Sequence, residues 1–473
     1  MGEAGRAAPE RPDCGGRAWV DDVLLGGNEQ EIALHLGDPV SRAELRQLVA
    51  HEQERLQAAG LTMGGSLAVR VPPSLSCVVT MLAGWRQGAQ VALLDYRLTP
   101  YEVDEALARL APQVVAEPTE KVTGTLRGYV DVTTRVTALD AGRPADTPHI
   151  LLQLSSGSTG PSKVIGRTVE SLRTELDRYA RLDGFPAQGE RTVVLASIIH
   201  VLGLVGGLLH GLAARAQVVL PRTQTLEGIL RAVAAGPEPT TLLGVPSQAA
   251  VLAAAQTPPR LPQLRRMIVG GELVKAGVRE RFTRGYGAEL GVMYGMTEAG
   301  VIATDLTGAS SPGLTPVHGL PVRVEDGQIL LGLPASPYVG RTDRTRFVDG
   351  WLRTKDAGEL DPDTGLLTVH GRLDSQVSVG GLKVDLTEVE ASISALPGVT
   401  DAVVVHGTGI EAFVTVREPG VFDALTDSLA ARLAPYKRPR TLHVLPELPR
   451  TATGKPVRNA EVLRAAVRSA SSV

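Results

Sequence analysis

SLAVRVPPSLSCVVTMLAGWRQGAQVALL, residues 66–94, changes its hydrophobic period twice. Ser66–Val71 alternates as a half-buried strand does, Ser74–Gly88 repeats its apolar residues at helical spacing, and Val91–Leu94 is a short apolar run. Strand, helix and strand in that order predict a parallel pair with a crossover helix. Upstream, Leu45, Leu48, Val49 and Leu56 recur at helical spacing before Gly60. Downstream, apolar runs at His149–Leu154, Thr192–Ala196, Gln217–Leu220, Thr241–Val245 and Arg266–Val269 each have a helical pattern nearby. The expected fold class is therefore α/β, with mainly parallel sheets covered by helices on both faces.

The pattern changes twice more. From about Gly319 to Gly371 the text is turn-rich and strand-like (DGQILLG, DPDTGLLTVHGR), which predicts a small β subdomain. After Asp374 a compact α+β pattern begins: strand Gln376–Val379, a helix opened by Asp385 with Glu388 as its capping partner, strands Asp401–Val405 and Glu411–Val416, and helix Phe422–Leu433. A boundary at Gly371–Asp374 divides the chain into a large N-terminal domain, residues 1–371, and a small C-terminal one, residues 372–473.

Composition narrows the function. The 473 residues include only 5 Phe, 3 Trp and 8 Tyr, a poor supply of rings for repeated base stacking. A net charge of −3 and a pI near 6.3 give no electrostatic footprint for nucleic acid or an anionic membrane. Cys14 and Cys77 cannot make a disulfide framework or a metal knuckle, and MGEAGRAAPERPDCGG lacks an apolar signal core, so the expected compartment is the cytoplasm. The uncharged stretch Thr192–Ala214 is long enough to span a bilayer, but its histidines, glycines and flanks favour a buried strand, a loop at Ser197–His200 and a buried helix.

Chemistry concentrates first in Leu154–Lys163, LSSGSTGPSK, directly after a predicted strand. Small hydroxyls and glycines let the backbone approach a polyanion, with amides donating and a lysine supplying charge. It is not a Walker loop, since Ser162 stands where the second glycine would fall. Taken alone, such a stretch is usually only a loop.

SSGSTGPSK resembles the phosphate-binding signature of the acyl-adenylate-forming superfamily, which includes acyl- and aryl-CoA ligases and stand-alone adenylation enzymes. Further segments resemble that family's motifs in the same order: Tyr294–Glu298 (YGMTE), Trp351–Asp356 with Gly371-Arg372, Gln376–Glu390 (QVSVGGLKVDLTEVE) and Pro449–Lys455 (PRTATGK). The resemblance runs from about residue 40 to the C-terminus.

It implies that a carboxylate attacks the α-phosphorus of ATP and expels pyrophosphate. Lys455 would bridge carboxylate and α-phosphate, Thr297 would donate to that phosphate, and Glu298 would hold Mg²⁺. ATP would further meet Ser155, Ser156, Gly157, Ser158, Thr159, Gly160, Lys163, Gly271, Glu272, Gly295 and Met296. Tyr294 would lie on the adenine, and Asp356 would accept from the ribose hydroxyls with Arg372 nearby. Without the resemblance, Tyr294 reads as a core ring and Asp356 as a turn residue.

A second step would make a thioester with CoA, or with the phosphopantetheine of a separate carrier protein, after rotation about Asp374. Gly380 and Gly381 would then flank the thiol tunnel. Val164 after Lys163, Lys355 in place of a glycine, and Ser378 in place of a lysine depart from the common pattern. The last two motivate an alternative in which the acyl group passes to an amine; a non-catalytic nucleotide-binding homologue is disfavoured because every expected polar residue is present.

The acid pocket implied comprises His200, Val201, Leu204, Val245 and Gly270, apolar and free of buried charge. Val201 stands where amino-acid-activating relatives have an aspartate, and a valine leaves a buried ammonium unpaired. The expected substrate is a neutral aryl or medium aliphatic carboxylic acid, not an α-amino acid.

Overall fold

In the computed structural model the described residues are 16–120, 122, 128–155, 163–272, 274, 277–340, 345–373, 375–417, 422–449 and 456–470. The opening stretch forms strand Ser66–Val69, helix Leu75–Arg86 and strand Gln90–Leu93, and the two strands pair in parallel. Ser74 caps the helix, its hydroxyl accepting from the Cys77 amide at 3.0 Å. The helix is apolar nearly all round because it is sandwiched: Cys77–Trp85 are all buried. Cys77 is a free thiol, and burial pushes it up to about 12, so it packs as a small hydrophobe.

These strands sit in a six-stranded sheet ordered Thr134–Ala138, Val114–Pro118, Ser66–Val69, Gln90–Leu93, Leu151–Ser155, Lys163–Arg167, parallel except at its two edges. A nine-stranded sheet lies beside it. Its parallel centre runs through Glu289–Met296, Leu264–Gly270, Thr240–Gly244, Arg191–Val194, Gln217–Val219 and Ile32–Leu36. A continuous, mainly aliphatic core joins both sheets. The α/β class with helix-covered parallel sheets is as the periodicity predicts.

The apolar stretch after Thr192 resolves into strand Arg191–Val194, a turn through Ser197–His200 and a helix whose first part, Leu202–Leu209, is π-helical. No helix among the described residues is long and apolar enough to cross a membrane. Its glycines allow close packing: a Cβ on Gly206 would stand 2.8 Å from the Tyr179 hydroxyl, and one on Gly207 would stand 2.8 Å from Val194.

Beyond residue 320 the described strand pairs are antiparallel, except Ile410–Val416 with Thr441–Val444. Val322–Glu325, Gln328–Gly332, Phe347–Val348, Trp351–Leu360 and Leu367–Arg372 make one five-stranded sheet. Then come a two-stranded hairpin, Gln376–Val379 with Leu382–Asp385, and a three-stranded sheet of Val399–His406, Ile410–Val416 and Thr441–Val444, with helices Leu386–Ser394, Phe422–Arg432 and Ala460–Ala470.

One expectation at this end needs correction. Asp385 does cap the helix, accepting from Thr387 N at 2.7 Å, but Glu388 does not reach back to complete a box. Its carboxylate instead receives the Lys437 ammonium at 2.9 Å. A charged partner outweighs a neutral backbone amide.

Candidate active site

Three of the expected site residues lie where the parallel strands of the large sheet end. Val245 follows Thr240–Gly244, Gly270 ends Leu264–Gly270, and Tyr294 lies near the end of Glu289–Met296. Register places Gly244 beside Val269 and Gly270 beside Met293, so these ends are lateral neighbours. The carboxyl ends of parallel strands form the crevice in which α/β proteins bind ligands.

A polar cluster around Asp356 comes first. The Tyr294 hydroxyl donates to Asp356 Oδ2 at 2.6 Å and Arg372 Nη1 to Oδ1 at 3.0 Å. The Thr354 hydroxyl donates to Ile329 O and accepts from the Asp356 amide, which fixes the backbone beneath. Burial first, then the adjacent Asp356 charge, raises the Tyr294 phenol well above its usual range, so it stays a donor. Asp356 and Arg372 face each other across paired strands. Lys355, the residue standing for a glycine, has φ +63, the left-handed conformation a glycine adopts without strain.

A second cluster surrounds Glu298, four residues further along the same strand and turn. Its Oε1 accepts from the Tyr338 hydroxyl at 3.1 Å and lies 3.9 Å from Arg346 Nη2. The Lys163 ammonium stands 5.2 Å from the centre of the Tyr338 ring. Tyr338 reaches this place because Val339 N donates to Val164 O and Gly166 N to Pro337 O, stitching its segment to the edge strand. Burial first, then the Glu298 charge, pushes the Tyr338 phenol far up. Among the described residues no group of three or more His, Cys, Asp or Glu converges on a cation site. A lone carboxylate fits a Mg²⁺ carried in by nucleotide phosphates, an ion that keeps most of its own waters.

The acid pocket differs from expectation in two respects. Leu204 has no exposed surface and packs in the main core, whereas Leu202 Cδ2 stands 3.3 Å from where a Gly270 Cβ would be. Behind His200 there is also a buried charge. Asp95 Oδ2 lies 4.0 Å from His200 Nε2, and Arg97 takes both Asp95 oxygens, at 2.8 and 2.6 Å. Burial pushes the Asp95 carboxyl up, but the Arg97 bonds outweigh it and hold it below its usual range. His200 leaves 42% of its side chain open, but its Nε2 is buried without a hydrogen-bond partner, and the burial of that atom lowers its pKa despite Asp95. Gln153 Nε2 donates to Ile199 O at 2.8 Å, tying this loop to the strand that ends at Ser155. Val201 is partly buried at the start of the helix.

The glycine turn of the hairpin closes the arrangement. Gly381 N donates to Glu272 Oε1 at 2.9 Å, and Lys383 Nζ to Gly271 O at 2.8 Å. Gly380 and Gly381 have φ +59 and +83, and a Cβ on Gly381 would lie 2.5 Å from Val245 Cγ1. Only glycine permits that approach. Gly295 serves a different purpose from opening space, since its Cβ would meet Gly300 O at 2.7 Å in the adjoining strand. Thr297 and Met296 lie in and beside that turn.

Ser156–Gly160, Asp374 and Lys455 lie outside the described residues, as does the side chain of Ser155. Tyr338, Arg346, Asp95 and Leu202 were missed in the sequence reading. Only Tyr338 carried a usable signal, as one of the chain's few rings.

Polar clusters at Asp356 and Glu298 and a glycine turn set against the strand ends at Val245 and Gly271 mark an α/β protein with a ligand crevice at the carboxyl ends of its strands. Residues 26–331 match the model of the AMP-binding enzyme family, and residues 388–455 match that of the AMP-binding enzyme C-terminal domain. The chain is 31% identical to a feruloyl-CoA synthase of Amycolatopsis sp, over 89% of this chain and 93% of the relative. It is 25% identical to a 4-chlorobenzoate–CoA ligase of Arthrobacter sp, over 93% and 94%. Its fold matches the solved o-succinylbenzoate CoA synthetase of Bacillus subtilis with a TM-score of 0.80, at 23% identity over 96% and 98% of the two chains. The chain belongs to the AMP-binding enzyme family.

Proposed function

We propose that the protein is an AMP-forming acid–thiol ligase that activates a neutral aryl carboxylic acid with ATP and passes the acyl group to CoA or to a phosphopantetheinyl carrier protein. In the first step a carboxylate oxygen bonds to the α-phosphorus and the bond to pyrophosphate breaks. In the second the thiol sulfur bonds to the acyl carbon, its proton leaves to solvent, and AMP departs.

The observation that best supports this reading is the shared wall at Val245, Gly271 and Glu272, where the Gly380–Gly381 turn meets the strand ends of the acid pocket. Acid, nucleotide and an entering thiol can converge there. In this reading Asp356 takes the ribose hydroxyls, with Tyr294 and Arg372 orienting its two oxygens. Glu298 holds Mg²⁺, which when bound neutralises phosphate charge, and Tyr338 orients the Glu298 carboxylate. Lys455 bridges the reacting groups, and residues 1–371 and 372–473 move as two bodies about Asp374. The compartment is the cytoplasm.

Aryl acids are favoured over aliphatic ones because the named relatives act on feruloyl and chlorobenzoyl groups. Asp95 gives no foothold to an α-ammonium, because Arg97 already holds both its oxygens.

The test is ATP–pyrophosphate exchange with ferulate, benzoate, 4-chlorobenzoate, octanoate and a set of α-amino acids, repeated with Lys455→Ala. Exchange is expected with at least one aryl acid, to fall by roughly a hundredfold or more in the variant. Best exchange with an amino acid would sink the substrate assignment, and full exchange by the variant would sink that of Lys455. Adding CoA or an amine then shows which nucleophile takes the acyl group.

A further inference from the structure

We propose that Lys383 is a positioning residue for acyl transfer to the thiol: its ammonium holds the glycine turn of the hairpin on the pocket mouth. The inference rests on the thiol-transfer reading above and adds a residue that reading does not assign.

The hairpin Gln376–Asp385 is short, and its tip must approach a foreign backbone closely. Gly381 can do so only while its missing Cβ faces Val245 Cγ1. Apolar contact at one glycine fixes distance but little orientation. Direction comes from two polar links, one at the tip and one on the returning strand: Gly381 N to Glu272 Oε1 at 2.9 Å and Lys383 Nζ to Gly271 O at 2.8 Å. The first is a backbone amide, present whatever the side chain. The second depends on one ammonium, and a charged donor is worth more than a neutral one.

The hairpin's register supplies the second observation. Ser378 pairs with Lys383 across the two strands, so their side chains share a face. Ser378 Oγ is buried without a hydrogen-bond partner, so position 378 contributes no polar link to the pocket wall. The cation of this face is on the returning strand. A lysine placed at 378 would occupy the same face from the other strand, which makes the charge transferable.

Lys383→Met, Lys383→Arg and the pair Lys383→Met with Ser378→Lys should be compared with the unaltered chain, using whichever panel acid exchanges best. Pyrophosphate exchange reads the first step, and single-turnover thioester formation with CoA reads the second. We expect Lys383→Met to keep exchange within about twofold while thioester formation falls roughly five- to tenfold. Arginine should recover most of the loss, and Ser378→Lys part of it. Thioester formation at the unaltered rate in Lys383→Met, or an equal loss in both steps, would overturn the proposal, the latter marking a merely structural role. Failure of the unaltered chain to make any thioester while exchanging pyrophosphate would instead overturn the thiol-transfer reading, and this inference with it.

Discussion

Lys355 shows how a single residue can keep a conformation its chemistry disfavours. It lies in the strand Trp351–Leu360 at φ +63, one position before the Asp356 carboxylate. Its carbonyl accepts from Leu373 N at 2.8 Å, so the backbone is held by the paired strand and not by the side chain. An L-residue pays about 1 kcal/mol for that region, and glycine does not. Lys355→Gly should therefore stabilise the protein by about 0.5–1 kcal/mol, read as a higher urea midpoint with an unchanged slope. A lower midpoint would mean that the lysine side chain contributes more than its backbone strain removes. The family-like glycine pattern at this site was legible as a departure in the sequence, but the sequence could not say whether the backbone had changed with the residue. The structure places Lys355 in the left-handed region that a glycine adopts without strain.

At the level of elements, the helix that leads out of the pocket loop is the informative case. Period and composition made it legible as a buried helix after a turn at Ser197–His200, yet gave no sign of the π-helical run Leu202–Leu209. The run packs Gly206 against a residue distant in sequence, Tyr179, which stacks on Phe185 with ring centres 4.9 Å apart and donates to Met293 Sδ. That ring cannot retreat, so Gly206→Ala should cost about 1–3 kcal/mol through its Cβ against the hydroxyl. Because His200 and Val201 begin this helix, KM for the acid should rise more than KM for ATP. Equal KM changes with a lowered stability would confine the effect to the core. The same limit on sequence reading explains the other omissions. Strands, caps and ordered motifs are local and were found, whereas Tyr338 beneath Glu298, Asp95 behind His200 and the engagement of Glu388 by Lys437 are pairings across long separations.

Across the whole molecule, the C-terminal sheet and helices are joined to the six-stranded-sheet side by a buried charge cluster. Lys437 donates to Glu102 Oε1 and to Glu388 Oε1, both at 2.9 Å, and burial notwithstanding, the two carboxylates and Tyr436 keep its pKa above the usual lysine value. Glu102 is itself locked by a capping box with Thr99 at the start of helix Pro100–Leu110. Arg97 adds to the seam, its guanidinium 5.1 Å from the Tyr436 ring while its fork holds Asp95 behind the acid pocket. The chain of contacts from His200 through Asp95 and Arg97 to Tyr436 thus runs from pocket to C-terminal region. Replacing Lys437 with Met leaves two carboxylates facing each other without a cation, and breaking such a pair by one partner costs about 3–5 kcal/mol. Since the N-terminal sheets have their own continuous core, this loss should appear as undocking and not as global unfolding. Lys437→Met is expected to enlarge the radius of gyration in solution scattering and to speed tryptic cleavage near residue 372, with the main melting transition little changed. Glu102→Gln together with Glu388→Gln in the Lys437→Met background should restore much of the compact form, because neutral amides no longer repel. A compact, slowly cleaved single variant would show that the seam is held by packing around Tyr436 and not by its charges.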